Sequence, residues 1–235
     1  MNKYAVAGMV SLALAGIAQG AAAQATAAKS GGPASTNWYV GAGLGEDYAS
    51  IPEETINAVN SSLTTAYNTL VGPTTSTIDK NKRSTGAKIF VGYSFNRNFA
   101  VEGGYAPLGT SSANMSFSSG LSPVGTFEMD YKMTAAFVDA VGSLPLNEKW
   151  SFIGRIGVAY GRTDLSMTGS PLTFALSSND KSESTVRAKF GAGVDYNVNP
   201  AFTVRAEWEL YKMPDPLTTD LFDLNAATLS LLYRF

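Results

Sequence analysis

The strongest constraint on this chain is an alternation with a period of two residues, in which charged side chains share a face with glycine. In residues 186–196 one face is apolar, and the other carries Arg187, Lys189, Gly191, Gly193 and Asp195. A period of two predicts β-strands. Because the small and charged residues form the crowded face, the pattern predicts a sheet with a polar interior and an apolar exterior.

Eight segments of the chain show this alternation, and they are separated in turn by long loops and tight turns. They cover residues 36–45, 85–95, 99–106, 131–146, 150–161, 186–196, 202–211 and 225–235. An even strand number with short turns at one end and long loops at the other is typical of a transmembrane β-barrel. A soluble barrel of the lipocalin type is the main alternative, but its apolar side chains would point inward. The sequence therefore predicts an all-β fold, an eight-stranded antiparallel transmembrane β-barrel.

Composition excludes several classes of function. Only 15% of the 235 residues are charged, against roughly a quarter in soluble domains. A net charge of -2 gives no reason to expect a nucleic-acid partner. The chain has no cysteine and no histidine, which removes disulfides, thiolate metal sites and the usual proton shuttle.

The N-terminus has the pattern of a targeting segment. Lys3 precedes an apolar run over residues 5–18, and small residues at 21–25 offer cleavage after Ala23 or Ala25. A membrane anchor is the alternative, but the run is shorter than the roughly 20 residues of a spanning helix. We expect a secretory signal peptide over residues 1–25, a flexible leader over 26–35 and the barrel domain over 36–235.

The first long interruption, residues 46–84, contains a helical pattern. Ser50 and Glu53 fit a capping box, and Gly72 is suited to end the helix. Apolar residues recur at helical spacing, namely Ile56, Val59, Leu63, Ala66 or Tyr67, and Leu70. The pattern predicts a short amphipathic helix. Such a helix would cap the barrel mouth or bind a partner; the simpler hypothesis is that it covers the apolar residues of its own loop.

The expected interior carries a balanced set of charges. The bases are Lys88, Arg155, Arg187, Lys189 and Arg205, and the acids are Glu102, Asp139, Asp195, Glu207 and Glu209. Asp139 lies in a strand that is apolar on both faces, and we place it inward because an ionised carboxylate is costly in lipid; a register shifted by one residue would reverse this. Since buried charges persist when paired, the set predicts a salt-bridge network that closes the lumen. A conducting or gated pore is the alternative.

Three stretches carry a resemblance to a known family. They are the Lys88 strand with its hairpin into residues 101–105 (VEGGY), residues 144–157 with Trp150 and Arg155, and the terminal Tyr233-Arg234-Phe235. The chain resembles the eight-stranded outer-membrane β-barrel superfamily and is similar to the transmembrane domain of outer membrane protein A. The resemblance implies a location in the bacterial outer membrane. It also implies that Tyr233 and Phe235 are an assembly signal, recognised by the barrel-assembly machinery.

These observations together lead to a functional hypothesis. We expect an integral outer-membrane protein, monomeric and in contact with outer-membrane lipid and lipopolysaccharide, that acts in envelope integrity or surface interaction through its long loops. Any surface ligand is unknown from the sequence. The alternative is a narrow passive pore for ions or small solutes.

Catalysis is not expected. Small outer-membrane enzymes generally resemble one another in using histidine as the catalytic base or acid. This chain has no histidine. Glu207 and Glu209 could perform acid–base chemistry, but they lie two residues apart on one strand face. The simpler interpretation is that each pairs with a base in the interior. The loop carboxylates Asp215, Asp220 and Asp223 match no metal-binding loop, so we expect neither a metal nor a cofactor.

Overall fold

The computed structural model describes residues 37–120, 122–170, 180–218 and 220–235. The expected signal peptide and leader lie outside these residues. Nine strands and one helix follow in order: β1 (Trp38–Ala49), α1 (Glu53–Val71), β2 (Thr75–Asn81), β3 (Arg83–Ser94), β4 (Phe99–Ser119), β5 (Ser122–Pro145), β6 (Trp150–Ser170), β7 (Lys181–Asn197), β8 (Phe202–Pro214) and β9 (Leu221–Arg234).

Eight of these strands close into an antiparallel ring. The pairing order is β4-β3-β1-β9-β8-β7-β6-β5, and β5 returns to β4. The last strand pairs on one side with β8 and on the other with β1, where Tyr39 lies opposite Arg234. Closure leaves the strands of the ring without the open edge that lipid would not tolerate. The prediction of an eight-stranded antiparallel barrel is confirmed.

At one end, which we call the turn end, three connections share one geometry. The side-chain oxygen of Asn96 accepts hydrogen bonds from the N–H groups of Asn98 and Phe99, at 2.8 and 2.9 Å. Asn147 and Asn199 accept the corresponding pairs of bonds in the next two turns. Each turn therefore reads Asn-x-x-aromatic, and its asparagine replaces backbone partners that a turn lacks.

The outer wall at the turn end is apolar and aromatic. Exposed large apolar residues include Val40, Ile89, Phe152, Ile156, Phe190, Trp208, Leu229 and Leu231. Ring pairs gather near the turns, as between Trp150 and Tyr196 at 4.8 Å. An apolar band edged by aromatic rings is the expected surface of a barrel that lies in lipid.

At the other end, the loop end, the strands extend further than predicted. The sequence predicts no strand between residues 106 and 131, but β4 continues to Ser119 and β5 begins at Ser122. The predicted connection between residues 161 and 186 is likewise shortened by β6 and β7. The short strand β2, which the sequence did not predict, pairs with the extension of β4. These extensions raise the sheet above the apolar band.

The predicted helix is present as α1, with two corrections. Its first turn has no side-chain cap, because the Ser50 N–H bonds the Asp223 carbonyl at 2.8 Å and Glu53 pairs with lysines of the β2 region. The predicted capping box is therefore wrong. Leu70 is 54% exposed and not part of the buried stripe. Gly72 ends the helix with φ +90°, as predicted.

Among the residues described, no helix is both long enough and apolar enough to cross a membrane.

Candidate functional site: the barrel interior

The interior near the turn end is filled by charged side chains from six strands of the ring. Alternation along each strand turns these residues inward, beside the glycines of β1. A Cβ on Gly41 would lie 2.2 Å from the Phe90 ring, so the glycine face is crowded, as predicted. We call the following set the charge cluster: Lys88, Glu102, Asp139, Arg155, Lys189, Asp195, Arg205, Glu207 and Glu209.

Arg155 is the centre of the charge cluster. Its guanidinium lies 2.7 Å from Glu102 and 2.8 Å from Glu207. Two further carboxylates approach the same group, Glu209 at 2.8 Å and Asp139 at 3.2 Å. One cation thus connects carboxylates from β4, β5 and β8, across the full width of the barrel. Planar guanidinium suits this role because its five N–H donors spread in fixed directions.

The two lysines complete the upper part of the charge cluster. Lys88 pairs with Glu207 and lies 2.9 Å from Glu209. Lys189 lies 2.5 Å from Asp139 and also pairs with Glu209. Glu209 is therefore shared among three cations, which compensates the desolvation of a carboxylate that is 1% exposed.

Arg205 extends the charge cluster toward the turn end. It lies 2.5 Å from Glu102 and 2.7 Å from Asp195. Asp195 is the member with the greatest access to solvent, at 14% of its side chain. The chain of ion pairs thus runs from the buried centre to the rim of the barrel.

Aromatic side chains enclose the charge cluster, a role that was not predicted from the sequence. The ammonium group of Lys189 lies 4.1 Å from the centre of the Phe137 ring, and Lys88 lies 5.2 Å from that of Phe90. Tyr39 donates a hydrogen bond to Glu102 at 2.7 Å, and Tyr211 donates one to Glu209 at 3.1 Å. The ring faces stabilise the lysine ammonium groups, and the hydroxyl groups donate to carboxylates, in addition to the ion pairs.

The structure brings together nine of the ten predicted lumen residues and excludes Arg187. Asp139 points inward, which confirms its predicted register. Arg187 is exposed and donates to the carbonyl of its neighbour Val186 at 3.0 Å. The reason is that β7 pairs with β8 only from Phe190 onward, so Arg187 lies beyond the closed part of that wall. The expectation of Arg187 in the network is wrong.

Above the charge cluster, the interior becomes apolar. We call this set the upper core: Met115, Phe117, Met129, Tyr131, Met133, Leu165 and Met213, each at most 1% exposed. The helix α1 packs on it, with Tyr67 stacked on Phe117 at 4.8 Å between ring centres. Buried Ile56 joins the same cluster. The helix therefore covers the barrel interior as well as its own loop.

Polar contacts fix α1 over the loop end. The Thr55 hydroxyl donates to Asp215 at 2.9 Å and so connects the helix to the segment between β8 and β9. Glu53 lies 3.3 Å from Lys80 and 3.5 Å from Lys82. The hydrogen bond from Lys80 lowers the pKa of the Glu53 carboxyl below its usual value. A negative charge at the first turn is also favoured by the helix dipole.

One buried acid was not predicted from the sequence. Asp47 continues the inward face of β1 beyond Gly41, Gly43 and Gly45, and it is 1% exposed. Both of its carboxylate oxygens lack a hydrogen-bond partner among the residues that the structure describes. The signal was available in the sequence, because the alternation of β1 puts Asp47 on the glycine face.

The residues predicted as an assembly signal lie at the seam of the ring, which is the pairing of β1 with β9. Tyr233 packs its ring against Phe202 at 5.2 Å and against Phe235 at 5.1 Å. The N–H of Phe235 donates to the Trp38 carbonyl at 3.3 Å. Their use as a recognition signal stays a prediction.

The described part of the chain contains no group of three or more aspartates and glutamates arranged to hold a metal ion. The carboxylates of the charge cluster are all paired with cations. Asp215 binds Thr55 and the Leu217 N–H, and Asp223 pairs with Lys212. These loop carboxylates therefore serve structural contacts.

Several known proteins are similar to this chain in sequence or in structure. An uncharacterized protein of Coxiella burnetii is 27% identical over 175 residues, which is 66% of this chain and 70% of that protein. Ail, the attachment invasion locus protein of Yersinia pestis, is 18% identical with a TM-score of 0.45, over 85% of this chain and 100% of Ail. Neisserial surface protein A is 11% identical with a TM-score of 0.48, over 85% and 98% of the two chains.

The family assignment rests on nearly the whole barrel. Residues 33–235 match the OmpA-like transmembrane domain. The protein is accordingly located in the bacterial outer membrane. In barrels of this class the short turns face the periplasm and the long loops face the cell exterior. The chain belongs to the OmpA-like transmembrane domain family.

Proposed function

We propose that this protein is a closed outer-membrane barrel that acts through its loop end, in envelope integrity or in contacts at the cell surface. The observation that carries this proposal is the double filling of the interior. Ion pairs occupy the half near the turn end, and the upper core under α1 occupies the other half. An interior filled by its own side chains leaves solute transport without a path.

The exposed face of α1 is the surface that we assign to external contacts. It carries short polar residues, including Asn57, Ser61, Ser62 and Thr65. The hydroxyls of Ser62 and Thr65 bond carbonyls of the preceding helical turn, at 2.9 Å each. The face is therefore nearly uncharged and rigid, which reduces the entropy lost when a partner binds.

Planar-bilayer conductance of the purified, refolded protein tests the closed lumen. We expect no reproducible channels. Channels whose conductance changes in Glu102→Gln and Arg205→Gln would contradict the proposal and establish the alternative, a narrow passive pore. The matched control is Glu46→Gln, because Glu46 lies on the outer face, where it pairs with Arg83.

Envelope integrity and surface contacts can be tested separately, because only the surface contacts are assigned to the exposed face of α1. A strain that lacks the protein should become more permeable to detergents if the barrel supports the envelope. Substitution of Asn57 and Thr65 by arginine should leave that resistance intact and reduce surface contacts, tested as binding to immobilised lipopolysaccharide and to host cells. Deletion of residues 50–72 is a poorer test, because it would remove Ile56 and Tyr67 from the upper core.

Assembly makes a third part of the proposal, since the seam residues are exposed at the turn end. We infer that Phe235 is recognised by the barrel-assembly machinery, with Tyr233 beside it. Removal of Phe235 should lower the amount of heat-modifiable barrel in outer-membrane fractions. The same change should leave the surface contacts of the barrels that do insert unaffected.

A further inference from the structure

The interior described above holds more negative than positive charge. The carboxylates that face it are Asp47 and the five acids of the charge cluster, while the cations are Lys88, Arg155, Lys189 and Arg205. If all of these carboxyls are ionised, six acids against four bases leave two negative charges in excess within this set. Such an excess in a largely buried interior requires compensation.

Asp47 is the acid of this set that pairs with no base among the described residues. It is 1% exposed, and within the described part of the chain neither carboxylate oxygen has a hydrogen-bond partner. One of these oxygens lies 1.8 Å from the position that a Cβ on Gly86 would take. The side chain therefore points across the inner face of β3. Lys88, two residues further along β3, is already taken by Glu207 and Glu209. Lys88 is therefore not available to Asp47.

The paired strands supply no positive charge to Asp47. On β3 and β9 its cross-strand neighbours are Ser84 and Ala226, which carry no charge. An ionised carboxylate in such a position costs several kcal/mol unless a cation compensates it.

We propose that Asp47 binds an alkali-metal cation, sodium or potassium, at the boundary between the charge cluster and the upper core. A divalent ion fits less well, because calcium takes six to eight oxygen ligands and usually several carboxylates. The described residues offer no such group. A single unpaired carboxylate, completed by backbone carbonyls or water, suits a singly charged ion. The inference does not depend on the proposed role of the loop end.

The test compares the unfolding of the refolded full chain in sodium, potassium and choline chloride at equal ionic strength. In sodium or potassium we expect the midpoint to rise by about 4 °C for each tenfold increase in cation above its Kd. Asp47→Asn should remove this dependence, because the amide is neutral and has the same shape. Glu46→Gln, on the outer face of the same strand, should retain it.

Two results would overturn the proposal. One is an unfolding midpoint of the unaltered protein that is equal in all three chlorides, including the case in which it changes with pH alone and Asp47 is neutralised by a proton. The other is a cation dependence that persists in Asp47→Asn. Should that variant fail to fold, sodium NMR of the unaltered protein decides: broadening that potassium reverses and choline does not supports the site, and its absence refutes it.

Discussion

The two halves of the barrel interior are built by the same strands with opposite polarity. On β5, Asp139 points into the charge cluster, whereas Met129 and Met133, on the same inward face, belong to the upper core. The outer face changes in the opposite sense. Val138 is exposed beside the charge cluster, and Glu128 and Lys132 are exposed beside the upper core.

This reversal teaches that the solvent outside the wall determines the polarity inside it. Where the wall faces lipid, apolar residues are needed outside, and the interior is left to charges that must then pair. Where the wall rises into water, polar residues are tolerated outside, and burial of apolar area again stabilises the interior. The molecule is a membrane barrel at one end and has the polarity of a soluble barrel at the other.

The largest expected effect comes from removing the central cation of the lower half. Arg155→Leu leaves four carboxylates that now share three cations, and it should lower the free energy of unfolding by about 4 kcal/mol. Urea titration in detergent micelles measures this change. The control is Arg162→Leu on the same strand, whose exposed pair with Asp164 is worth less than about 1 kcal/mol. Equal effects of the two variants would mean that water reaches the charge cluster.

A smaller and more local effect is expected in the upper half. Tyr67→Ala removes the ring stacked on Phe117 and should cost about 3 kcal/mol, largely by freeing α1 from the barrel. Limited proteolysis within residues 53–71 should detect the release, while the heat-modifiable barrel remains. Leu70→Ala, at an exposed position of the same helix, should leave cleavage unchanged. If Tyr67→Ala unfolds the whole barrel, the two halves are not independent.

The smallest effect concerns the pH dependence of the cap. The pKa of Glu53 is lower in the folded protein than its usual 4.5, because Lys80 hydrogen bonds to its charged form. The stabilisation is therefore complete above pH 4.5 and is lost as the pH falls through the lower folded value. We expect α1 to become slightly more sensitive to acid-active proteases below that pH. Glu53→Gln should abolish this change. If the variant has the same pH profile as the unaltered protein, the pairs of Glu53 with the lysines do not cause it.

The lower half was largely predictable from sequence. Lipid outside a wall imposes a strict alternation, which predicts Glu102 and Arg155 on the inward face, while the cost of an ionised carboxylate in lipid places Asp139 there as well. Partners were not predictable, because they depend on how far each strand is shifted along its neighbour. Arg187 shows the limit: it lies on the correct face, but at a height where β7 no longer pairs with β8.

The upper half was predicted poorly for a different reason. Serine, glycine and threonine on the outer face of β4 and β6 suggested loops, since those residues are common in turns. The inward alternation of Met115 and Phe117 was present in the sequence but has the reverse polarity. The pattern of inward charged residues and outward apolar residues therefore ends where the wall leaves the lipid.

The repeated Asn-x-x-aromatic turn has a consequence for the order of folding. Each such turn closes a hairpin between strands only a few residues apart along the chain, so little entropy is lost when it forms. The seam of β1 with β9 instead joins the two ends of the barrel domain. We therefore expect the hairpins to pair first and the seam last, which leaves the edge near Phe235 exposed until the final step of assembly.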